Sequence, residues 1–142
     1  MALDSRIVIH ANAKVIEMIE QAKFLSDRLI DELPGVFAVI RWDGLILRCN
    51  IQLAETLGLA PDQTRERNIL SLFSDKDGLA FGQKCHDIGF VAKDSATLEL
   101  AVPGDRIFKF TIKRYGEAQG EPLLTVLGTD ITELRELVHV RN

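Results

Sequence analysis

The sequence is poor in the residues that staple a chain or span a membrane. Its only two cysteines are Cys49 and Cys85. They form no CxxC pair, and they are too few for a zinc set or a disulfide framework. Such sparse cysteine fits a reducing compartment, so the cytoplasm is the expected location. The longest apolar run, Val36 to Ile40, is five residues, against about 20 for a membrane-spanning helix. The opening Met1-Ala2-Leu3-Asp4-Ser5-Arg6 has no basic stretch followed by an apolar core, so it does not read as a signal peptide. No membrane contact is expected. An excess of positive charge is missing too. Lys and Arg number 17 against 21 Asp and Glu, a net charge of −4. The basic residues are scattered, and Glu66 splits Arg65 from Arg67. No stripe could track a phosphate backbone, so nucleic acid is not an expected partner.

What is present is apolar content: 46% of the 142 residues. That is too much for a disordered chain. The length suits one domain, which would bury about two-thirds of its unfolded surface. Three zones appear. Residues 1–33 form the first, and 7–33 contain neither Gly nor Pro. Val8, Val15, Ala22 and Leu29 repeat every seven residues, Ala11, Met18 and Leu25 take the second seam position, and Ile19 and Leu33 flank them. This predicts a long amphipathic helix whose seam suits a partner helix. Pro34-Gly35 ends it. About 25 helical residues would span nearly 40 Å, more than one face of a small domain requires. The seam is therefore read as the contact of a homodimer. The competing reading is a helix packed on its own domain.

The second zone, residues 34–130, alternates strand and helix signals. Val36–Arg41 and Leu45–Cys49 flank Asp43-Gly44, a two-residue hairpin signal. Asn50 stands where a helix could be capped, and Gly58 where it could stop. Pro61-Asp62 can open a helical turn. Ser74-Asp75-Lys76-Asp77 can cap a longer helix from about Gly78 to Gly89. Alternation predicts strands over 97–102 and 107–114, with Leu98, Leu100 and Val102 on one face and Phe108, Phe110 and Ile112 on the other strand's inner face. Gly116–Gly120 reads as a loop. Leu123–Gly128 is apolar on both faces, as in a central strand. The third zone, 131–142, starts a helix, and Asp130-Ile131-Thr132-Glu133 has the pattern of a capping box. The sequence stops at Asn142 without a helix-stop signal, so the natural chain is expected to continue.

Cys85-His86-Asp87 has the composition of a nucleophile, a base and an orienter. Neighbours on a helix diverge by about 100°, so adjacent side chains cannot form a relay. A thiol enzyme using Cys85 would also need a depressed pKa, and nothing nearby in sequence would lower it. No catalytic residue and no metal site is assigned.

The joints of this pattern resemble those of the PAS domain family of bacterial signalling proteins. The matching residues are Leu33-Pro34-Gly35, Asp43-Gly44, Asn50, Leu57-Gly58 and Gly128-Thr129-Asp130-Ile131-Thr132-Glu133. The last holds the Asp-Ile-Thr motif that ends such domains, and the resemblance covers about residues 33–133. It implies an α+β fold: a five-stranded antiparallel sheet with short helices on one face, here preceded by the long N-terminal helix. It implies a sensory and dimerisation module without catalysis of its own. Asp130, Ile131 and Thr132 would form the signal exit to an effector beyond Asn142, such as a histidine kinase or a cyclase. It also implies a cavity that a small apolar ligand could occupy. Val39, Leu57, Ile69, Leu72, Phe81, Cys85, Leu98, Phe110 and Val126 are the candidate lining, and the bland alternative is that they simply fill a core. No cofactor is expected. The alternative is a haem-loaded gas or redox sensor with His86 on the iron, because haem-binding relatives take a histidine from the long helix. Helical phase opposes it: Phe81, Cys85, Ile88 and Ala92 share a stripe, and His86 lies roughly opposite. The Asn-Cys-Arg signature of flavin-thiol photosensors is absent. Trp42 could stack on a ligand or pack the hairpin.

Overall fold

The computed structural model describes residues 17–18, 21, 28–91 and 94–141. The chain divides into two compact units, 1–32 and 33–142. In the first, Glu17, Met18, Gln21 and Arg28 to Asp31 are helical. Met18 and Leu29 are exposed. The other seam residues, Val8, Ala11, Val15, Ile19, Ala22 and Leu25, lie outside the described residues.

The second unit is a sheet covered on one face by helices. The strands are β1 (Val36–Arg41), β2 (Ile46–Cys49), β3 (Ser95–Val102), β4 (Arg106–Ala118) and β5 (Glu121–Asp130). All pairings are antiparallel, in the order β2-β1-β5-β4-β3. The doubly apolar run 123–128 is thus in the central strand, with Leu124 and Val126 buried under the helices while Leu127, on the other face, stays 39% exposed. Between β2 and β3 lie helix α1 (Ile51–Leu57), short 3₁₀ turns at Pro61–Gln63 and Ile69–Leu72, and helix α2 (Asp75–Phe90). Helix α3 (Thr132–Arg141) leaves the end of β5.

Local chemistry explains most boundaries. The Asn50 side chain accepts from Leu53 N–H and starts α1, and Gly58, in the left-handed conformation, stops it. Ser74 caps α2 through Asp77 N–H, so the helix begins three residues before Gly78. At Asp43-Gly44 only Gly44 has a positive φ, and Gly44 N–H donates to Arg41 C=O. The connection is therefore a turn over Arg41–Gly44 with a left-handed glycine at its end, not the tight two-residue turn expected. The predicted loop at Gly116–Gly120 is mostly strand. The β4–β5 ladder resumes after a bulge between Arg114 and Gly116 and runs to Ala118–Glu121, because pairing needs only backbone, not apolar side chains.

The core sits between sheet and helices. Val36, Ala38, Ile40 and Ile46 face Leu53, Ile69, Leu72, Phe81, Cys85 and Ile88, with Phe108, Phe110, Ile112, Leu124 and Val126 from the central strands. The ring centroids of Phe73 and Phe81 are 5.0 Å apart, and those of Phe73 and Phe110 are 5.3 Å apart. These aromatic contacts occupy the middle of the domain.

Candidate functional site: core and exit joint

The expected lining residues divide in two. Ile69, Leu72, Phe81, Cys85, Phe110 and Val126 meet in the buried core, and Leu57 and Leu98 pack against it partly buried. Val39 does not join them. Along β1 the buried residues are Val36, Ala38 and Ile40, so the period of two turns Val39 to the other face. There it lies opposite Thr125 and Arg48. The core also holds residues outside the expected lining, among them Ile40, Leu53, Ile88, Ile112 and Leu124, and against it packs the partly buried Phe73. Phe73 follows the 3₁₀ turn, where no periodicity marks an inner face.

Burial pushes the Cys85 thiol up to about 12. It is therefore protonated at neutral pH, the opposite of what a thiol nucleophile needs. His86 is exposed. Its ring packs against Phe90 at 5.0 Å and Trp42 at 6.3 Å. Trp42 in turn meets Phe90 at 5.1 Å, and its indole N–H donates to Glu121. The residues of α2 that face the interior are Phe81, Cys85 and Ile88. A haem seated between helix and sheet would meet those side chains rather than His86. Among the described residues, no group of three or more His, Cys, Asp or Glu could hold a metal ion. No described helix is long and apolar enough to cross a membrane.

Asp130, Ile131 and Thr132, expected as the signal exit, form one hydrogen-bonded joint with the start of β4. Asp130 Oδ1 accepts from Thr132 N–H at 2.9 Å and from Thr132 Oγ1 at 2.6 Å. Its Oδ2 accepts from Arg106 Nη1 at 3.1 Å. Thr132 Oγ1 accepts from Ile107 N–H at 3.0 Å, and Ile131 N–H donates to Ile107 C=O at 2.9 Å. One helix turn on, Arg135 pairs with Glu99 of β3. The expected capping box takes a different form. Asp130 closes a turn onto the residue two positions on, rather than bonding three positions on. The Thr132 hydroxyl and amide, then Arg106, hold the Asp130 carboxyl below the usual carboxylate range. The start of α3 is thus fastened to the first residues of β4.

Sheet order and helix positions define a small α+β domain with a five-stranded antiparallel sheet. No protein-family model and no curated protein sequence matches the chain, so the comparison rests on structure. The PAS domain of the RpfR quorum-sensing receptor from Cronobacter turicensis, in complex with C12:0, is 26% identical with a TM-score of 0.61. The match covers 72% of this chain and 99% of that one. The same domain also matches in complex with BDSF. The PAS domain of an HTR-like protein from Haloarcula marismortui is 17% identical, with a TM-score of 0.62 over 84% of this chain and 99% of that one. The PAS domain of Bordetella pertussis BvgS is 20% identical, with a TM-score of 0.57 over 86% and 97%. The chain has the fold of these PAS domains.

Proposed function

We propose that this chain is a sensory and relay module. The state of its sheet would set the direction of α3 and, through it, the activity of an effector joined beyond Asn142. A histidine kinase is the effector we favour, and the chain itself carries no catalytic group in this reading. The observation that supports the relay is the clasp of Asp130 and Thr132 on Arg106 and Ile107. A helix fastened this way cannot swing freely, so strand movement becomes helix movement. The test joins the chain through α3 to a histidine-kinase core in place of that kinase's own PAS domain. Asp130→Asn is then expected to shift autophosphorylation by about fivefold or more. Equal rates with and without the substitution would overturn the relay.

A second reading, a receptor for an acyl chain, is favoured by the likeness to RpfR, whose domain binds C12:0. A groove of about 580 Å³ runs along α2, lined by Leu70, Phe73, Gly78, Leu79, Gly82 and His86 among others. Phe73 lines this groove and also touches Phe81 and Phe110. An acyl chain reaching the core from this side would displace the Phe73 ring. Dodecanoate is expected to give a 1:1 adduct by native mass spectrometry and to raise Tm. Neither effect at millimolar dodecanoate would end this reading.

A further inference from the structure

Asn50 makes more bonds than its role as a helix cap requires. It is 1% exposed. Its Oδ1 accepts from Leu53 N–H at 3.1 Å, which is the cap. The same oxygen accepts from Phe37 N–H at 3.0 Å, and Nδ2 donates to Gly35 C=O at 2.9 Å. Ser, Thr or Asp would cap the helix as well. Of the four, only the amide also supplies a donor beside its acceptor at this reach. Capping therefore leaves the bond to Gly35 unexplained.

Gly35 leads to the other end of the domain. It adopts a positive φ, and a Cβ there would stand 2.2 Å from the Gly128 carbonyl oxygen. The next residue, Val36, is the register partner of Gly128. Two residues beyond Gly128 is Asp130, the centre of the exit clasp. The turn that brings the chain into the domain and the strand that leads it out are thus in direct backbone contact, with Asn50 holding the first. We propose that Asn50 is a positioning residue that couples the incoming turn at Gly35 to the exit joint at Asp130. Displacement of the chain ahead of Gly35 then reaches α3 through Gly128 without rearranging the aromatic core. The inference rests on the relay reading above and adds the input to its output.

Amide hydrogen exchange on the full 142-residue chain tests it in two directions. Asn50→Asp keeps the cap acceptor and removes the donor to Gly35. It is expected to speed exchange at Ile131 and Arg135, whose amides bond to Ile107 C=O and Ile131 C=O, by about fivefold or more. A merely structural Asn50 would speed the core amides of Phe110 and Ile112 and leave Ile131 and Arg135 at their own local opening rates. Coupling is reciprocal. Asp130→Asn, at an exposed site, is therefore expected to speed exchange at Phe37 and Leu53 relative to Phe110 and Ile112. Unchanged rates in either arm overturn the proposal, and if Asn50→Asp does not fold, the Asp130→Asn arm decides alone. If the kinase fusion responds to Asp130→Asn while these arms fail, only this inference falls. If the fusion is indifferent, the relay reading falls with it.

Discussion

A Cβ added at Gly128 would stand 2.6 Å from Val36 Cγ2 and 2.7 Å from the Phe110 ring. Neither neighbour is the free end of a flexible chain, since both are locked in the core. Gly128→Ala is therefore expected to destabilise by about 2–3 kcal/mol, as overpacking does, read from the urea midpoint at constant m-value. Gly82 shows the opposite case. It lies inside α2 with an ordinary 3.8 Å contact to Leu70 Cδ1, so Gly82→Ala is expected to stabilise by about 1 kcal/mol through helix propensity. A loss of stability at Gly82→Ala would mean that the groove wall tolerates less than its spacing indicates. At this scale the sequence was readable wherever one local rule decided. Asn50 as a cap, Gly58 as a stop and Ser74 ahead of α2 each follow from a side chain acting on its own neighbourhood. The further bonds of Asn50, to Gly35 and Phe37, are 15 and 13 residues away in sequence, and no local pattern announces them. Val39 went astray for a different reason. An all-apolar strand leaves the phase of its alternation open until pairing with β5 fixes it.

At the scale of the element, α3 depends on a charged carboxyl. The Thr132 hydroxyl and amide, with Arg106, lower the Asp130 pKa from its ordinary 3.8. A carboxyl held low in the folded state stabilises the clasp above the ordinary range, and that contribution is lost as pH falls through the folded value. The start of α3 is thus expected to be fastened at neutral pH and to loosen only below about pH 4. An NMR titration of the Thr132 and Ile107 amides should show a transition with its midpoint under 3.8, and Arg106→Ala should raise that midpoint. A midpoint above the ordinary value would mean the clasp is not made in solution. Helix α2 shows what phase alone could do. The stripe through Phe81, Cys85 and Ile88 was legible, and with it the outward side holding His86. The capping box was misread because Ser/Asp-x-x-Glu spacing does not distinguish a bond to the second residue on from one to the third.

The whole molecule adds the question of assembly. Met18 and Leu29 are 62% and 65% exposed, as residues of a seam awaiting a partner would be in one chain alone. The sheet face turned away from the core is a competing surface. It carries a hollow of about 310 Å³ lined by Leu33, Phe37, Thr111, Lys113, Thr125 and Leu127. The heptad seam is an expectation that periodicity alone raises, whereas this hollow draws its residues from three separated stretches, 33–37, 111–113 and 125–127, and exists only once the strands pair. The two surfaces make different predictions for one experiment, sedimentation equilibrium of the chain with residues 1–32 deleted. The unit 33–142 is compact by itself, so the truncated chain is expected to fold. If the seam carries the dimer, the truncated chain sediments as a monomer at all concentrations while the full chain is dimeric. If dimerisation survives the deletion, the contact belongs to the outer sheet face, and Leu127→Lys, at a position 39% exposed, should then abolish it by placing a charge at the centre of an apolar contact.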